Sequence, residues 1–512
     1  MFDLGRTLIA AAARNPHALA LVDGDQRLSY AELLDRAQRL VSGLDAIGIT
    51  RGDRLLIVLQ NRAECAILHW ATQLAGVIAT PINWRANADE VEFFITNSAA
   101  TAVVYESVSA DAVNGSAAAA PLPRIAIGAP TTGSIDFEDL LAHPPAHDVP
   151  RATPRDVSLM LYTSGTTGRG KGVPRRHHAE RAAAIAHVAQ NTYRSGEVTL
   201  GVMPLYHTMG VRSLLAMALI NGTFVCLPRF DVRRALELIS AERVTNLYLV
   251  PTLYHDLLAH ADFQTTDTTS VTKLGFAGAA MTDGLLARLV VAFAPELFVN
   301  HYGSSEIYTF TVEQNAAVKP GSAGRAGINT EVRVIGISSH DPTNIVATGE
   351  EGQIIATLDG DEAFEGYWKR PDADAKALHH GWYLTGDIGY VDVDGDLFVT
   401  GRVDDMIITG GENVLPAEIE SILSMHPAVA ENAVVGLADE RWGQRVTAFV
   451  RRSAAVTDTE LDSWCQQSDL ANFKRPRAFI FVEDIPKSPV GKILRRMLVA
   501  GDYREEQAES DS

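Results

Sequence analysis

Residues 162–172 read Tyr-Thr-Ser-Gly-Thr-Thr-Gly-Arg-Gly-Lys-Gly, four glycines interleaved with hydroxyl side chains and two cations. Glycine lets a backbone turn sharply and bring its N–H groups close to an anion. Ser164, Thr166 and Thr167 add hydroxyl donors, and Arg169 and Lys171 add positive charge. The chemistry this combination suits is the holding of phosphate. Gly165–Lys171 also matches the opening of the G-x-x-x-x-G-K loop, but Gly172 stands where that loop needs a Ser or Thr hydroxyl for Mg²⁺. A P-loop nucleotide triphosphatase is thereby excluded.

The elements that must position this loop are legible on either side of it. The apolar run Val157–Leu161 predicts a buried strand, so the loop leaves a strand end, where open α/β sheets hold ligands. Upstream, residues 4–14 and 30–47 predict amphipathic helices, the second capped by Ser29 with Glu32 three positions on. Strands at 55–59, 76–81 and 102–105 alternate with helices at 64–74 and 89–96, which predicts a mostly parallel sheet covered on both faces. Residues 107–154 are weakly specified, with one strand at 124–127. Alternation resumes with a helix near 178–191, strands at 198–202, 223–227 and 246–250, and a helix at 231–242. The segments 273–277 and 297–301 each enter a loop. From 331 to 399 short β-rich runs with Gly turns predict a small barrel or meander. Beyond Asp404 a compact α+β unit is expected, with helices near 416–424 and 458–468 and strands near 431–437, 445–451 and 478–482.

Bulk properties narrow the class. A chain of 512 residues is too long for one core and predicts about three folding units. Its 44 basic and 63 acidic side chains give −19, which argues against broad nucleic-acid or anionic-membrane binding. Cys65, Cys226 and Cys465 have neither pair nor metal spacing and suit a reducing compartment. With no signal pattern and no run of the ~20 apolar residues needed to span a bilayer, the expected location is the cytoplasm.

Five ordered motifs then name a family. YTSGTTGRGKG at 162–172, NHYGSSE at 300–306, YLTGDIG at 383–389, GRVDDMIITGGENVLPAEIE at 401–420 and PKSPVGK at 486–492 make the chain resemble the adenylate-forming acyl-CoA synthetases. The resemblance covers essentially the whole chain. MPLYHTMG, FAGAAM, ADERWGQ and NFKRPR look most like the aryl-CoA ligases of the 4-chlorobenzoate-CoA or benzoate-CoA ligase type. It implies two steps, attack of a carboxylate on the α-phosphorus of ATP, then displacement of AMP by the thiol of coenzyme A. Joining two anions requires a phosphate cradle, Mg²⁺ and a nearby cation.

The resemblance also distributes roles. It implies that Thr163–Gly168 and Lys171 hold the phosphates, that Glu306 binds Mg²⁺, and that Lys492 bridges the acyl carboxylate and the α-phosphate. Gly278, Ala279, Ala280, Asn300, His301, Tyr302, Gly303, Ser304 and Ser305 would surround the nucleotide, Tyr302 by stacking on adenine. Asp387 would accept the ribose hydroxyls with Arg402 as a neighbouring donor. Ser305 stands where the family usually has Thr. Catalytic residues would be Lys492, His207, Thr163 and Glu306, with His207 orienting the acyl carboxylate and gating the thiol tunnel. Ala184, His187, His207, Thr208, Met209, Tyr248, Ala280, His301, Ile307 and Tyr308 would wall the acyl pocket. Arg85, Gly410, Gly411, Glu412, Trp442, Phe473, Arg475 and Arg477 would contact coenzyme A, and Asp404 would be the hinge. The pocket departs from the chlorobenzoate pattern where Ala or His replaces a bulky aromatic near 184–187 and His301 replaces an aliphatic. A bicyclic acid, or a ring bearing hydroxyl or amino groups, is the expected fit.

The architecture expected is α/β, with an N-terminal domain over 1–402 of two doubly wound subdomains plus a small β-barrel-like one. A mobile α+β domain would follow over 403–512. The activity expected is ATP-dependent aryl-CoA ligation by a monomer or homodimer, with neither nucleic-acid nor membrane partner. Alternatives are a stand-alone adenylation enzyme loading a carrier protein, a medium-chain fatty acyl-CoA synthetase, or a non-catalytic nucleotide sensor.

Overall fold

The computed structural model describes residues 2–128, 131–163, 170–468, 470–487 and 493–506. Ser164–Gly168 of the glycine-rich loop and Lys492 therefore lie outside the described residues. Two sheets dominate the first four hundred positions. One has seven strands in the spatial order Ile135–Asp136, Arg124–Ile127, Ala102–Glu106, Arg54–Val58, Ile78–Pro81, Val157–Thr163 and Lys171–Arg176. All pairs are parallel except the last, a hairpin in which Thr163 stands opposite Lys171. The glycine-rich loop is thus the connection across that hairpin.

The second sheet has a parallel centre of Leu19–Asp23, Thr223–Cys226, Val198–Gly201, Asn246–Leu249, Lys273–Ala277 and Leu297–Tyr302. Its antiparallel continuation runs through Thr311–Glu313 and Ser322–Ala326 into Leu397–Arg402, Trp382–Val391, Gly352–Thr357 and Val332–Ile335. The β-rich region expected as a barrel-like unit is therefore hydrogen-bonded onto the second sheet through Ser322–Ala326.

Helices Leu4–Arg14, Tyr30–Ala46, Ala63–Ala75, His177–Gln190 and Thr208–Ile220 fill the space between the sheets. The largest apolar cluster shows this directly, joining Leu55, Ile57 and Leu159 of one sheet to Leu21, Phe224 and Cys226 of the other around Trp70. The Ser29–Glu32 capping box forms as expected. From Ile407 onward a separate five-stranded sheet carries its own core of Val414, Ile419, Val434, Val450 and Leu461. Among the described residues, no helix is long and apolar enough to cross a membrane.

Candidate active site

The ends of the parallel strands and the antiparallel continuation converge on one group of charged and phenolic side chains. Asp387 and Arg402 are direct neighbours across two antiparallel strands, and the guanidinium lies 2.8 Å from the carboxylate. The hydroxyl of Tyr302, at the end of Leu297–Tyr302, donates to the other carboxylate oxygen at 2.6 Å. Asp387 is thereby held by two donors from two different elements. Gly386 has φ +77, and a Cβ there would sit 3.1 Å from the Arg402 guanidinium, so glycine admits this close approach.

Glu306 is buried, and its Oε1 accepts from the hydroxyl of Tyr367 at 2.7 Å. Lys171 lies over the face of the same Tyr367 ring, 4.2 Å from its centroid. Burial lowers the Lys171 pKa below the ordinary lysine range, opposed by the charge of Glu306. Across the hairpin, the Thr163 hydroxyl is buried with no hydrogen-bond partner among the described residues. A buried hydroxyl without a partner and a carboxylate fixed by one oxygen are hard oxygen donors, which suit Mg²⁺. Among the described residues, the tight acidic cluster Asp392–Asp394–Asp396 is instead neutralised by Lys319 and Arg325.

The loop holding Glu306 is fixed from behind. Arg175 is fully buried and donates 2.7 Å to the Glu306 carbonyl while pairing with buried Glu180 at 2.8 Å. Tyr308 donates to the same Glu180 at 3.0 Å and lies 4.2 Å from the Arg175 guanidinium. A side chain at Gly303 would collide with the Tyr308 carbonyl. Neither Tyr367 nor the Arg175–Glu180 pair is marked by any sequence motif.

The expected nucleotide residues do not all face one way. Gly278, Ala279 and Ala280 are exposed at the end of Lys273–Ala277, as a ligand-facing turn requires. The Asn300 amide is spent on the Ser322 carbonyl at 2.8 Å. Successive strand residues alternate faces, and His301 is buried away from Tyr302, against Asn191, His187 and Tyr248. His301 therefore packs with His187 and Tyr248, two of the residues expected at the acid.

His207 precedes the helix Thr208–Ile220, and its Nδ1 accepts from the Met209 N–H at 3.3 Å, which leaves the proton on Nε2. Met209 and Tyr248 share an apolar cluster with Phe276 and Ala277, and Ala184 packs in the inter-sheet core. Ile307 packs away from them, with Val173, Phe310 and Phe364. One helical turn below Thr208, Arg212 is buried and donates to Tyr248 and Thr309, each at 2.6 Å. Arg212 and Thr309 are thus polar partners beside Tyr248 that the sequence reading did not include.

The residues expected at coenzyme A fall on two bodies. Thr409 pairs with Glu412 across a turn made by Gly410 and Gly411, whose φ values of +62 and +87 suit the tight hairpin. The Gly410 N–H bonds the Trp442 carbonyl at 2.8 Å, and the half-exposed Trp442 ring lies against the turn. Phe473 is exposed beside Arg475, which pairs with Asp462 at 3.0 Å, and Arg477, which bonds the Asn472 carbonyl. Arg85 stacks on Trp84 at 3.8 Å and borders a cleft with Tyr206, Arg229 and Phe230. Asp404 is exposed in the segment following Arg402, and the adjacent Asp405 is tied at 3.2 Å to Arg495, which also pairs with Glu420.

Comparison with known proteins places this geometry among relatives. The AMP-binding enzyme model matches residues 8–368, and the model of the AMP-binding enzyme C-terminal domain matches residues 418–492. A 4-chlorobenzoate–CoA ligase from Arthrobacter sp is 35% identical over 95% of this chain and 93% of its own. A long-chain-fatty-acid–CoA ligase from Mycobacterium tuberculosis is 33% identical over 97% of this chain and 98% of its own. The structure of o-succinylbenzoate CoA synthetase from Bacillus subtilis, bound to its acyl-adenylate intermediate, superposes with a TM-score of 0.85. It is 27% identical, covering 99% of this chain and 100% of that one.

Proposed function

This chain belongs to the AMP-binding enzyme family, and from that premise we propose that it is an ATP-dependent aryl-CoA ligase. Two relatives of nearly equal identity act on acids of different kinds, so overall likeness does not choose between an aromatic ring and a long chain. The acyl slot does. It ends in the buried rings of His187, Tyr248 and His301 with Arg212 behind them, a wall that suits a compact ring and opposes a long alkyl tail.

In the first step a carboxylate oxygen of the acid attacks the α-phosphorus of ATP. The bond to the β-phosphate oxygen breaks and pyrophosphate leaves with the electron pair. Lys171 and the hydroxyl-rich loop beside it hold the phosphates, and Asp387 accepts the ribose hydroxyls between its two donors. Glu306 and Thr163 are the residues that would hold Mg²⁺, whose contribution when bound is to neutralise phosphate charge. The Tyr367 hydroxyl keeps one Glu306 oxygen fixed, so the carboxylate enters this role already oriented. His207 would orient the acyl carboxylate, and Lys492, which lies outside the described residues, would supply a point cation to it. In the second step the thiolate of coenzyme A attacks the acyl carbon and AMP departs. The half-exposed Trp442 and Phe473 with nearby arginines suit a free nucleotide, which favours coenzyme A over a carrier protein as acceptor.

Division at 402/403 into a large domain and a mobile small one, a cytoplasmic location, and a monomer or homodimer complete the proposal. The testing experiment is ATP–pyrophosphate exchange with an aromatic acid and no coenzyme A. Exchange is expected. A strict requirement for coenzyme A would contradict an adenylate intermediate.

A further inference from the structure

Behind the slot, Asn191 sits between two buried histidines. Its amide nitrogen lies 2.8 Å from the His187 carbonyl and 3.0 Å from His187 Nδ1. Both are acceptors, and an amide nitrogen carries two protons, so these two bonds use it fully. His187 Nδ1 is then unprotonated and Nε2 carries the hydrogen. His301 Nε2 lies between the two amide atoms, 3.1 Å from the nitrogen and 3.2 Å from the oxygen, and with both amide protons directed to His187 it donates to the oxygen. His301 Nδ1 is then a bare acceptor. The two atoms left over, His187 Nε2 and His301 Nδ1, are buried without a hydrogen-bond partner among the described residues.

The two rings stand 5.2 Å apart between centroids, inclined by 40°, with Tyr248 against both. Burial, with the Arg212 charge nearby, holds both imidazoles well below the ordinary histidine range, so both are neutral near pH 7. One neutral ring thus presents a donor and the other an acceptor. Buried polar groups in native proteins find partners, and these two have none among the described residues.

We infer that the acid activated here carries a hydroxyl group on its ring, accepting from His187 Nε2–H and donating to His301 Nδ1. The inference rests on the aryl-ligase reading and specifies its substrate class. A hydroxyl is the simplest substituent that does both. Chloro and methyl groups do neither, and a methoxy group accepts without donating. A second carboxylate would set its lone pairs against the bare nitrogen of His301. Asn191 is a positioning residue that fixes both tautomers, and Gly275 supports it. A Cβ at position 275 would come 3.0 Å from the Tyr248 ring and 3.6 Å from the Asn191 oxygen.

The test is kcat/KM for thioester formation with benzoate, 3- and 4-hydroxybenzoate, 4-chlorobenzoate, 4-methoxybenzoate and the matching naphthoates. A site built to bond a hydroxyl discriminates against analogues lacking it, so a preference of at least ~10-fold for a hydroxylated ring is expected. In His301→Phe and His187→Phe the hydroxyl-to-chloro ratio should fall toward one, and His301→Gln should restore part of it. Equal wild-type rates with hydroxylated and unsubstituted rings overturn the inference, and that ratio decides even if a variant fails to fold. An unchanged ratio in both active variants also overturns it. Turnover of fatty acids and of no aromatic acid at all would instead sink the aryl-ligase reading itself.

Discussion

At the scale of single residues, the site depends on carboxylates fixed by donors from other segments of the chain. Asp387 illustrates the consequence. With Tyr302 on one oxygen and Arg402 on the other, its carboxylate is already oriented, as the proposed ribose contact requires. Asp387→Asn keeps the shape but loses the charge, and a hydrogen bond to a charged group contributes about 1.5–3 kcal/mol. The expected loss in kcat/KM for ATP is therefore roughly 10- to 100-fold, read by steady-state kinetics, with the melting temperature little changed. Asp387, Arg402, Glu306, Lys171 and Tyr302 were legible because each sits inside a short motif. Tyr367, Asn191, Arg175 and Arg212 were not. Arg175 meets the Glu306 carbonyl across 131 positions, and Tyr367 meets the carboxylate across 61, separations that no local pattern encodes. His301 was placed at both the nucleotide and the acid because its motif names a strand end. Strand alternation separates the two faces.

At the scale of elements, the strands and amphipathic helices that were read lie within a residue or two of the observed ones, while several other helices and the strands Leu19–Asp23 and Gln26–Ser29 were missed. Thr208–Ile220 is the instructive case. It is buried on nearly every face, so its sequence carries no polar stripe to reveal a helical period. The helices Pro251–Ala259 and Asp283–Phe293 were likewise unread. The hairpin partner Lys171–Arg176 was hidden by Gly172 and Pro174. Two expectations belong to this level. Arg175→Met leaves Glu180 as an uncompensated buried charge, and breaking a buried pair in this way costs about 3–5 kcal/mol. Denaturant unfolding should show that loss, with the double change Arg175→Met, Glu180→Leu milder than the single one. Gly410→Val places a β-branched residue at φ +62, with its Cβ 2.8 Å from the Trp442 ring. Thioester formation from supplied acyl-adenylate should slow at least ~10-fold if that turn lines the thiol path. Adenylate formation should change little, and equal loss of both half-reactions would count against a separate role for the hairpin.

At the scale of the molecule, two large sheets share one inter-sheet core, and buried histidines link that core to pH. His177 accepts the Leu4 N–H at 3.2 Å through Nδ1, a bond that requires the neutral ring. Burial lowers its pKa to about 4, and that of buried His69 to about 3, from an ordinary 6.5. The unfolded chain binds these protons first, so stability is complete above the unfolded value and falls as pH drops toward the folded ones. A shift of this size at His177 corresponds to about 3 kcal/mol. Thermal unfolding should lose stability between pH 6.5 and 4, and His177→Gln should flatten that slope.

The most direct measurement of the central claim is AMP released from ATP in the presence of coenzyme A, across benzoates, naphthoates, phenylacetates and medium-chain fatty acids. A slot closed by His187, Tyr248 and His301 should confine release to aromatic acids, with one thioester formed per AMP. Release with fatty acids alone would contradict the closed slot, and release without thioester would contradict coenzyme A as the acceptor.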